Sequence, residues 1–251
     1  MTHVPALLLA CILLSSCVSG NSPASKPDES GKVAMKKDGT IVLLHGQGRT
    51  RLSMMILSRR FKSAGYQTVN FPYNQTIDSL DEISDQLIGF IGKKVKTTNY
   101  HLVGHSLGNV IIRNAFRKEY PAGLGKIVML APPNQPAHLA KLLKKNLIYL
   151  WITGDSGKKL SEEAFYRDLP VPTVRFGIIA GDKGQSLTFS EPNDGMVSIE
   201  STKLDGMADW LLLHHGHTFI MNCRDTFEQC RRFIERGSFK QSEPDSSGKA
   251  N

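Results

Sequence analysis

A serine flanked by glycines is the first candidate for chemistry in this sequence. The segment GHSLG has Ser106 at its centre, follows the apolar run 100–103 and precedes an amphipathic stretch. In a strand–turn–helix context this pattern places the serine on a tight turn, where side chains at 104 and 108 would collide with neighbouring backbone. The turn presents the hydroxyl beside a helix N-terminus, which favours developing negative charge. Ser106 is therefore the candidate nucleophile.

A serine nucleophile needs a general base, and three histidines lie together late in the chain. They are His214, His215 and His217. A predicted strand ends near Leu213, and the base must lie in a loop beyond it to reach over the serine. His217, within the tripeptide Gly-His-Thr, fits this position best. His214 and His215 are interpreted as strand-end residues.

The acid that would orient His217 has two candidates. Asp182 closes a predicted strand in the segment IIAGD, and Asp194 lies in the turn PNDGMV. The acid must be held rigidly beneath the imidazole to fix its tautomer and stabilise the imidazolium. A turn that leads into an ordered apolar segment does this better than the start of a Gly- and Ser-rich loop. Asp194 is therefore preferred, and Asp182 remains the alternative.

Apolar runs that alternate with amphipathic stretches must position these residues. The predicted strands are 40–44, 67–71, 100–103, 126–130, 174–180 and 208–213. The predicted helices are 54–64, 77–95, 109–120 and 225–236. This alternation is typical of an α/β protein with a mostly parallel central sheet and helices on both faces. The stretch 132–169 interrupts it and could form a small cap or one side of a cleft.

The motifs together resemble a bacterial α/β-hydrolase family related to small lipases and esterases. The resemblance is carried by LLHGQGRT, LVGHSLGNVI, VMLAPPNQ, GIIAGD, PNDGMVSIESTKLDGMADW and HTFIM. It covers about 40–239 and implies the α/β-hydrolase fold, with Asp194 and His217 as the partners of the serine. The turn HGQG resembles the loop that supplies half of an oxyanion hole. The backbone amides of Gln47 and Leu107 would then be its two donors.

These features predict a serine hydrolase that cleaves carboxylic esters through an acyl-enzyme and needs no cofactor. Two alternatives are an acyltransferase that uses the same triad and a non-catalytic envelope lipoprotein that binds a partner. The expected substrate is a small-molecule or lipid ester. His45 is interpreted as a structural residue that holds its loop. No metal site is expected, because the histidines and cysteines form no HExxH or CxxC pattern.

The first residues have the composition of an export signal. Segment 1–16 contains no Lys, Arg, Asp or Glu, and its apolar run 6–14 is too short to span a bilayer comfortably. It ends in Leu-Ser-Ser before Cys17, which resembles the bacterial lipobox. The resemblance implies a cleaved signal peptide and a lipid on Cys17. Because Val18 follows instead of Asp, we expect an outer-membrane anchor that faces the periplasm. An ordinary cleaved signal with an incidental cysteine is the alternative.

The remaining composition indicates one domain with flexible ends. Segments 17–38 and 240–251 are rich in polar residues and are predicted to be a tether and a tail around a domain at 39–239. The net charge of +8 comes from scattered Lys and Arg residues without interleaved aromatics. Weak attraction to anionic lipid is expected from it, and nucleic acid is not an expected partner. Cys223 and Cys230 are interpreted as free thiols, because such positions on one helix lie about 10 Å apart.

Overall fold

A computed structural model of the protein describes residue 37 and residues 39–135, 162–184 and 191–240. The strands are β1 Thr40–Leu44, β2 Gln67–Asn70, β3 Tyr100–His105, β4 Leu124–Leu130, β5 Phe176–Gly181 and β6 Asp209–Leu213. The described α-helices are α1 Met55–Ser63, α2 Leu80–Lys94, α3 Leu107–Ala115, α4 Glu162–Asp168, α5 Ile199–Thr202 and α6 Arg224–Arg236. Short 3-10 helices occupy Arg51–Met54 and Ile220–Asn222.

The strands form one parallel sheet in the order β2-β1-β3-β4-β5-β6. Parallel neighbours require crossover connections, and the helices between the strands supply them. The carboxyl ends of all these strands consequently lie at one edge of the sheet. The loops that follow β1, β3, β5 and β6 meet at this edge, where ligands bind in open α/β sheets.

Successive side chains of the strands fill two separate cores. On β1, Val42 and Leu44 pack with α2 and α3, whereas Ile41 and Leu43 pack with α1 and α6. Neighbouring residues of a strand point to opposite faces of the sheet. A strand covered on both sides is therefore apolar throughout, and all five residues of β1 are buried. The predicted class, a parallel sheet with helices on both faces, is confirmed.

Helix α3 differs from the prediction at both ends. It begins at Leu107, directly after the serine, and ends at Ala115 instead of Tyr120. The amides of residues 116–118 donate to carbonyls three positions earlier, each at 3.0 Å. The last turn is therefore tightened in the manner of a 3-10 helix, and the α-helical stretch is shorter than the apolar pattern suggests.

Helix α2 begins at Leu80, three residues after the predicted start at Ile77. The Ser79 side chain accepts from the amide of Glu82, and the Glu82 carboxylate accepts from the amide of Ser79 at 2.8 Å. This capping box starts the helix. Ile77 is 78% exposed, so it lies outside the packed apolar stripe that it was predicted to begin.

Buried Arg113 on α3 connects the two described ends of the predicted cap. Its guanidinium donates to the carbonyl of Asn134 at 3.0 Å, and to those of Leu169 and Pro170 at 2.9 and 3.0 Å. Burial lowers the pKa of Arg113 to about 10. Arg113 thus anchors Asn134, which precedes segment 136–161, and Leu169 and Pro170, which follow α4, on the helix after the serine.

Several predicted segments lie outside the described residues. These are the signal peptide at 1–16, Cys17, most of the tether and tail, and the cap between 136 and 161. Among the helices that are described, none combines the length and apolar character needed to cross a membrane.

Candidate active site

Ser106 lies on a sharp turn between β3 and α3. Its φ of 50° and ψ of −119° fall in a region that residues with side chains rarely adopt. Its amide donates to the carbonyl of Leu130 at 2.9 Å, which ties the turn to the end of β4. The hydroxyl is consequently held at the carboxyl edge of the sheet and at the N-terminus of a nine-residue helix.

Close contacts explain why the residues two positions before and after Ser106 are glycines. A Cβ on Gly104 would lie 2.3 Å from Oδ1 of Asn109, and one on Gly108 would lie 2.8 Å from the carbonyl oxygen of His45. Both distances are far below van der Waals contact, so either side chain would force the turn apart. The spacing Gly-x-Ser-x-Gly therefore reflects the tight packing of this turn against β1 and α3.

The structure brings Ser106, His217 and Asp194 into one hydrogen-bonded chain. Ser106 Oγ lies 2.9 Å from His217 Nε2, and His217 Nδ1 lies 2.7 Å from Asp194 Oδ2. A carboxylate only accepts, so Nδ1 carries the proton and Nε2 is free to accept from the serine hydroxyl. The His217 and Asp194 side chains are only 6% and 1% exposed. The arrangement can move a proton from the serine to the imidazole.

The carboxylate of Asp194 is held in a fixed orientation. Its Oδ1 accepts from the amides of Met196 at 3.0 Å and Val197 at 2.8 Å. The backbone of the same residue also pairs with the histidine loop, because the amide of His217 donates to the carbonyl of Asp194 at 2.8 Å. These bonds leave Oδ2 pointed at the imidazole.

The alternative acid and the other two histidines have different partners. Asp182 accepts from Nδ1 of His214 at 2.8 Å, and the His214 side chain is 75% exposed. His215 Nε2 lies 2.8 Å from both carboxylate oxygens of Asp225. Of the three clustered histidines, all of which are described, His217 is the one hydrogen-bonded to Ser106.

The two residues predicted to form an oxyanion hole lie on the segments that flank the serine. Leu107 is the first residue of α3, so its amide has no acceptor within that helix. Gln47 lies in the turn after β1. The preceding Gly46 packs so closely on the turn at Ser106 that a Cβ there would lie 3.1 Å from Ser106 Cβ and 2.8 Å from Nδ1 of His105. The part played by both amides in binding an oxyanion stays a prediction.

Tyr73 supports the turn after β1, a role that the sequence did not signal because no motif contains this residue. Its hydroxyl donates to the carbonyl of His45 at 2.5 Å, and the two rings stack with centroids 3.9 Å apart. Burial raises the pKa of Tyr73 and lowers that of His45, so both rings stay neutral. His45 Nδ1 donates to the carbonyl of Gly46 at 2.9 Å, which agrees with a structural role.

His105 holds the loop that carries His217. Its buried Nε2 donates to the carbonyl of His217 at 2.9 Å, and the two rings lie 5.0 Å apart. Burial, with the nearby His217 as a smaller cause, holds the pKa of His105 well below its usual range. His105 is therefore a neutral donor. It occupies a variable position of the Gly-x-Ser-x-Gly pattern, so the motif carried no signal for this role.

A cavity of about 600 Å³ opens beside the acid and base of the site. Its lining includes Asp194 and His217, together with Lys183 and Phe219, whereas Ser106 is not part of the lining. The Phe219 side chain is 61% exposed. The cavity therefore reaches Asp194 and His217 from the side of the loop that follows β6.

Both cysteines in the described part of the chain are free, as predicted from the sequence. Cys230 is buried within α6, but Cys223 is the non-helical residue before that helix. The sulfur of Cys223 and the polar side-chain atoms of His215 and Asp225 lie within 4.8 Å of one another. No metal motif contains this triplet, because its members come together only through the turn between β6 and α6.

Comparison with known proteins identifies solved structures that share this architecture. The sequence matches no family model and no curated protein. A lipase-esterase related protein from Clostridium acetobutylicum superposes with a TM-score of 0.54 at 13% identity, over 80% of this chain and 97% of that chain. An α/β serine hydrolase without a lid from Xanthomonas campestris gives 0.53 at 15% identity, over 85% and 87%. Methylketone synthase I from tomato gives 0.57 at 11% identity, over 81% and 100%.

These neighbours have different names but share one fold. A likeness at 11 to 15% identity establishes the architecture and leaves the chemistry to the residues of the site. The chain therefore has the α/β-hydrolase fold, as the resemblance of its motifs implied.

Proposed function

We propose that this protein is a serine hydrolase that cleaves carboxylic esters through an acyl-enzyme on Ser106. The observation that carries the proposal is the hydrogen-bonded chain from Ser106 through His217 to Asp194. The strained turn at Ser106 adds support, because such strain persists mainly where function requires it. A protein that only binds a partner has no need of a nucleophile, a base and an acid in contact.

In the first step Ser106 Oγ attacks the ester carbonyl carbon while its proton passes to His217 Nε2. The carbonyl π electrons move to oxygen, which becomes the oxyanion. Asp194 accepts from Nδ1 throughout, so it orients the ring and stabilises the imidazolium. When the tetrahedral intermediate collapses, the bond to the leaving oxygen breaks and Nε2 returns the proton to the departing alcohol.

In the second step water replaces the alcohol. His217 removes a proton from the water as it attacks the acyl carbon, and the carboxylic acid leaves as Ser106 regains its proton. The amides of Gln47 and Leu107 are the proposed oxyanion donors in both steps. Removing one such donor elsewhere costs about 3–4 kcal/mol of transition-state stabilisation.

Fluorophosphonate labelling tests the nucleophile directly. An activated serine attacks phosphorus and expels fluoride, so we expect one label per chain on the full-length protein. Ser106→Ala should abolish labelling, whereas Ser63→Ala, which changes an exposed serine on α1, should label fully. A folded Ser106→Ala protein that still labels, or wild type that never labels, would contradict the proposal.

The ester substrate is tested by product analysis. The proposal predicts turnover of p-nitrophenyl esters with release of free carboxylic acid, and higher kcat/KM for longer acyl chains. Added glycerol should change the product little. Transfer of most of the acyl group to glycerol would identify an acyltransferase instead.

We also propose that Cys17 carries a lipid that anchors the protein to the outer membrane on its periplasmic side. The support is the Leu-Ser-Ser-Cys segment after an apolar run. Several acyl chains on one cysteine, at roughly 0.8 kcal/mol per buried CH₂, would hold the domain firmly at a membrane and near apolar esters. Labelling in cells with a palmitate analogue should mark the wild type and not Cys17→Ala. Equal labelling of both would exclude this anchor.

A further inference from the structure

Three side chains of metal-ligating type meet beside the loop that carries His217. They are His215, which follows β6, Cys223, which precedes α6, and Asp225 in the first turn of that helix. One ligand atom from each lies within 4.8 Å of the others. We propose that these three residues bind a transition-metal ion, with zinc as the expected occupant.

The donor set selects the class of metal. Imidazole nitrogen, thiolate sulfur and carboxylate oxygen are the three ligand types that zinc uses in proteins. Calcium and magnesium prefer oxygen ligands alone, so a site with one sulfur and one nitrogen disfavours them. Three protein ligands leave the fourth tetrahedral position to water. His215 and Cys223 line the 600 Å³ cavity, through which an ion and its water can reach them.

The distances are compatible with a tetrahedral ion after small rotations. With bonds of about 2.0 to 2.3 Å, the ligand atoms around zinc stand roughly 3.3 to 3.6 Å apart. His215 Nε2 now lies 2.8 Å from Asp225, so this pair must open slightly. The sulfur of Cys223 lies within 4.8 Å of the other two ligand atoms, so it must approach them by up to about 1.2 Å to reach a separation of about 3.6 Å. Its present contact is a weak hydrogen bond to the carbonyl of Phe219 at 3.5 Å. The Asp225 side chain is 53% exposed, and its Oδ1 accepts from the amide of Thr226 at 2.8 Å, so Oδ2 is the oxygen available to the ion.

Contacts that do not involve a metal already position the backbone of the ligands. Arg60 Nη1 donates to the carbonyls of Asn222 and Cys223 at 2.6 and 2.8 Å. The amide of His215 donates to the carbonyl of Leu213 at 2.8 Å. Ligands held by such outer contacts lose little freedom on binding, which favours affinity.

Binding changes the protonation of the ligands in a defined way. The thiol of Cys223 releases its proton to solvent and coordinates as a thiolate. His215 coordinates through the Nε2 lone pair, so its ring proton resides on Nδ1. Metal binding therefore removes one proton from the Cys223 sulfur and breaks the His215–Asp225 hydrogen bond. No change of oxidation state is involved.

Cobalt titration of the full-length protein tests the site. Co²⁺ substitutes for zinc, and a thiolate ligand gives a charge-transfer band in the near ultraviolet. We expect the band to saturate at one ion per chain and to be displaced by zinc. Cys223→Ser, which keeps the side-chain size, should remove the band, and His215→Ala should weaken binding at least about tenfold. His214→Ala, a neighbouring histidine outside the cluster, should bind as wild type does.

The outcome is independent of the proposed esterase. Ser106→Ala should bind cobalt unchanged, and the Cys223→Ser protein should still react with fluorophosphonate, so failure of either proposal is recognised separately. Three results would overturn the metal site: no charge-transfer band with wild type, a band that survives Cys223→Ser, or equal loss of binding in His214→Ala. A zinc-dependent rise in Tm seen in wild type and absent from Cys223→Ser would corroborate the assignment.

Discussion

Two histidine–aspartate pairs at the carboxyl edge of the sheet have nearly the same geometry and very different surroundings. The hydrogen bond is 2.7 Å long in His217–Asp194 and 2.8 Å long in His214–Asp182. The side chains of the first pair are 6% and 1% exposed, and those of the second are 75% and 32% exposed. Burial, and not bond length, is what separates them.

This difference determines what each pair can do. Water screens an exposed ion pair, which typically contributes about 0–1 kcal/mol. In a buried site the effective dielectric is lower, so a fixed carboxylate acts more strongly on an imidazole that gains charge. The buried pair also has a third member, because His217 Nε2 lies 2.9 Å from Ser106 Oγ. The exposed pair is a surface contact.

Removal of the base should produce the largest effect. We expect His217→Ala to lower kcat/KM for an ester substrate by about 10⁴-fold or more, because Ser106 loses its proton acceptor. His214→Ala should change it less than about threefold. Steady-state assays of both variants, each shown to be folded by circular dichroism, decide the matter. Comparable losses in the two variants would remove the distinction between the pairs.

Replacement of the acid should have the next largest effect. In Asp194→Asn the amide group favours the wrong imidazole tautomer, so we expect kcat to fall by about 10³- to 10⁴-fold with little change in KM. Asp182→Asn is the matched control and should retain wild-type kcat. A larger loss in Asp182→Asn than in Asp194→Asn would transfer the role of the acid to Asp182.

A side chain added at Gly181, beside the two pairs, should have an intermediate effect on kcat. A Cβ on Gly181 would lie 2.3 Å from the carbonyl oxygen of His215 and 3.0 Å from Cβ of Asp194. We expect Gly181→Ala to destabilise the fold by about 1–3 kcal/mol in urea unfolding and to lower kcat up to about a hundredfold. Gly89→Ala, on α2 with no atom near the new Cβ, should leave kcat unchanged and stabilise slightly. If Gly181→Ala were as stable as wild type, the backbone at this edge of the sheet would be able to move and accommodate the new Cβ.

The smallest effect concerns the neutral histidine behind the buried pair. Burial lowers the pKa of folded His105 below 6.5, so the unfolded chain binds a proton that the folded one does not. The free energy of unfolding therefore decreases as the pH falls below 6.5, and His105 accounts for up to about 1.4 kcal/mol of this decrease per pH unit. His105→Gln does not titrate, so its unfolding free energy should fall less steeply between pH 6.5 and about 5. Identical slopes for the two proteins would show that His105 is not held neutral.

Local sequence determined the framework of this protein. The bounds of β1 and the position of the turn at Ser106 follow from an apolar run and from glycines two residues before and after the serine, although β3 extends to His105 and not only to 103. Both are short-range features, because a strand buried on two faces is apolar at every position and a crowded turn tolerates glycine alone. The end of α3 and the start of α2 were less predictable, since caps and 3-10 turns decide them.

The tertiary structure alone decided which side chains meet. Ser106 and His217 are 111 residues apart in the chain, and three nearby histidines share the same local setting, so periodicity does not distinguish among them. A loop position beyond β6 favoured His217, but its buried contact with Ser106 and the support from His105 come from packing between distant segments. Sequence patterns report neighbours along the chain, whereas hydrogen bonding and burial in a site depend on neighbours in space.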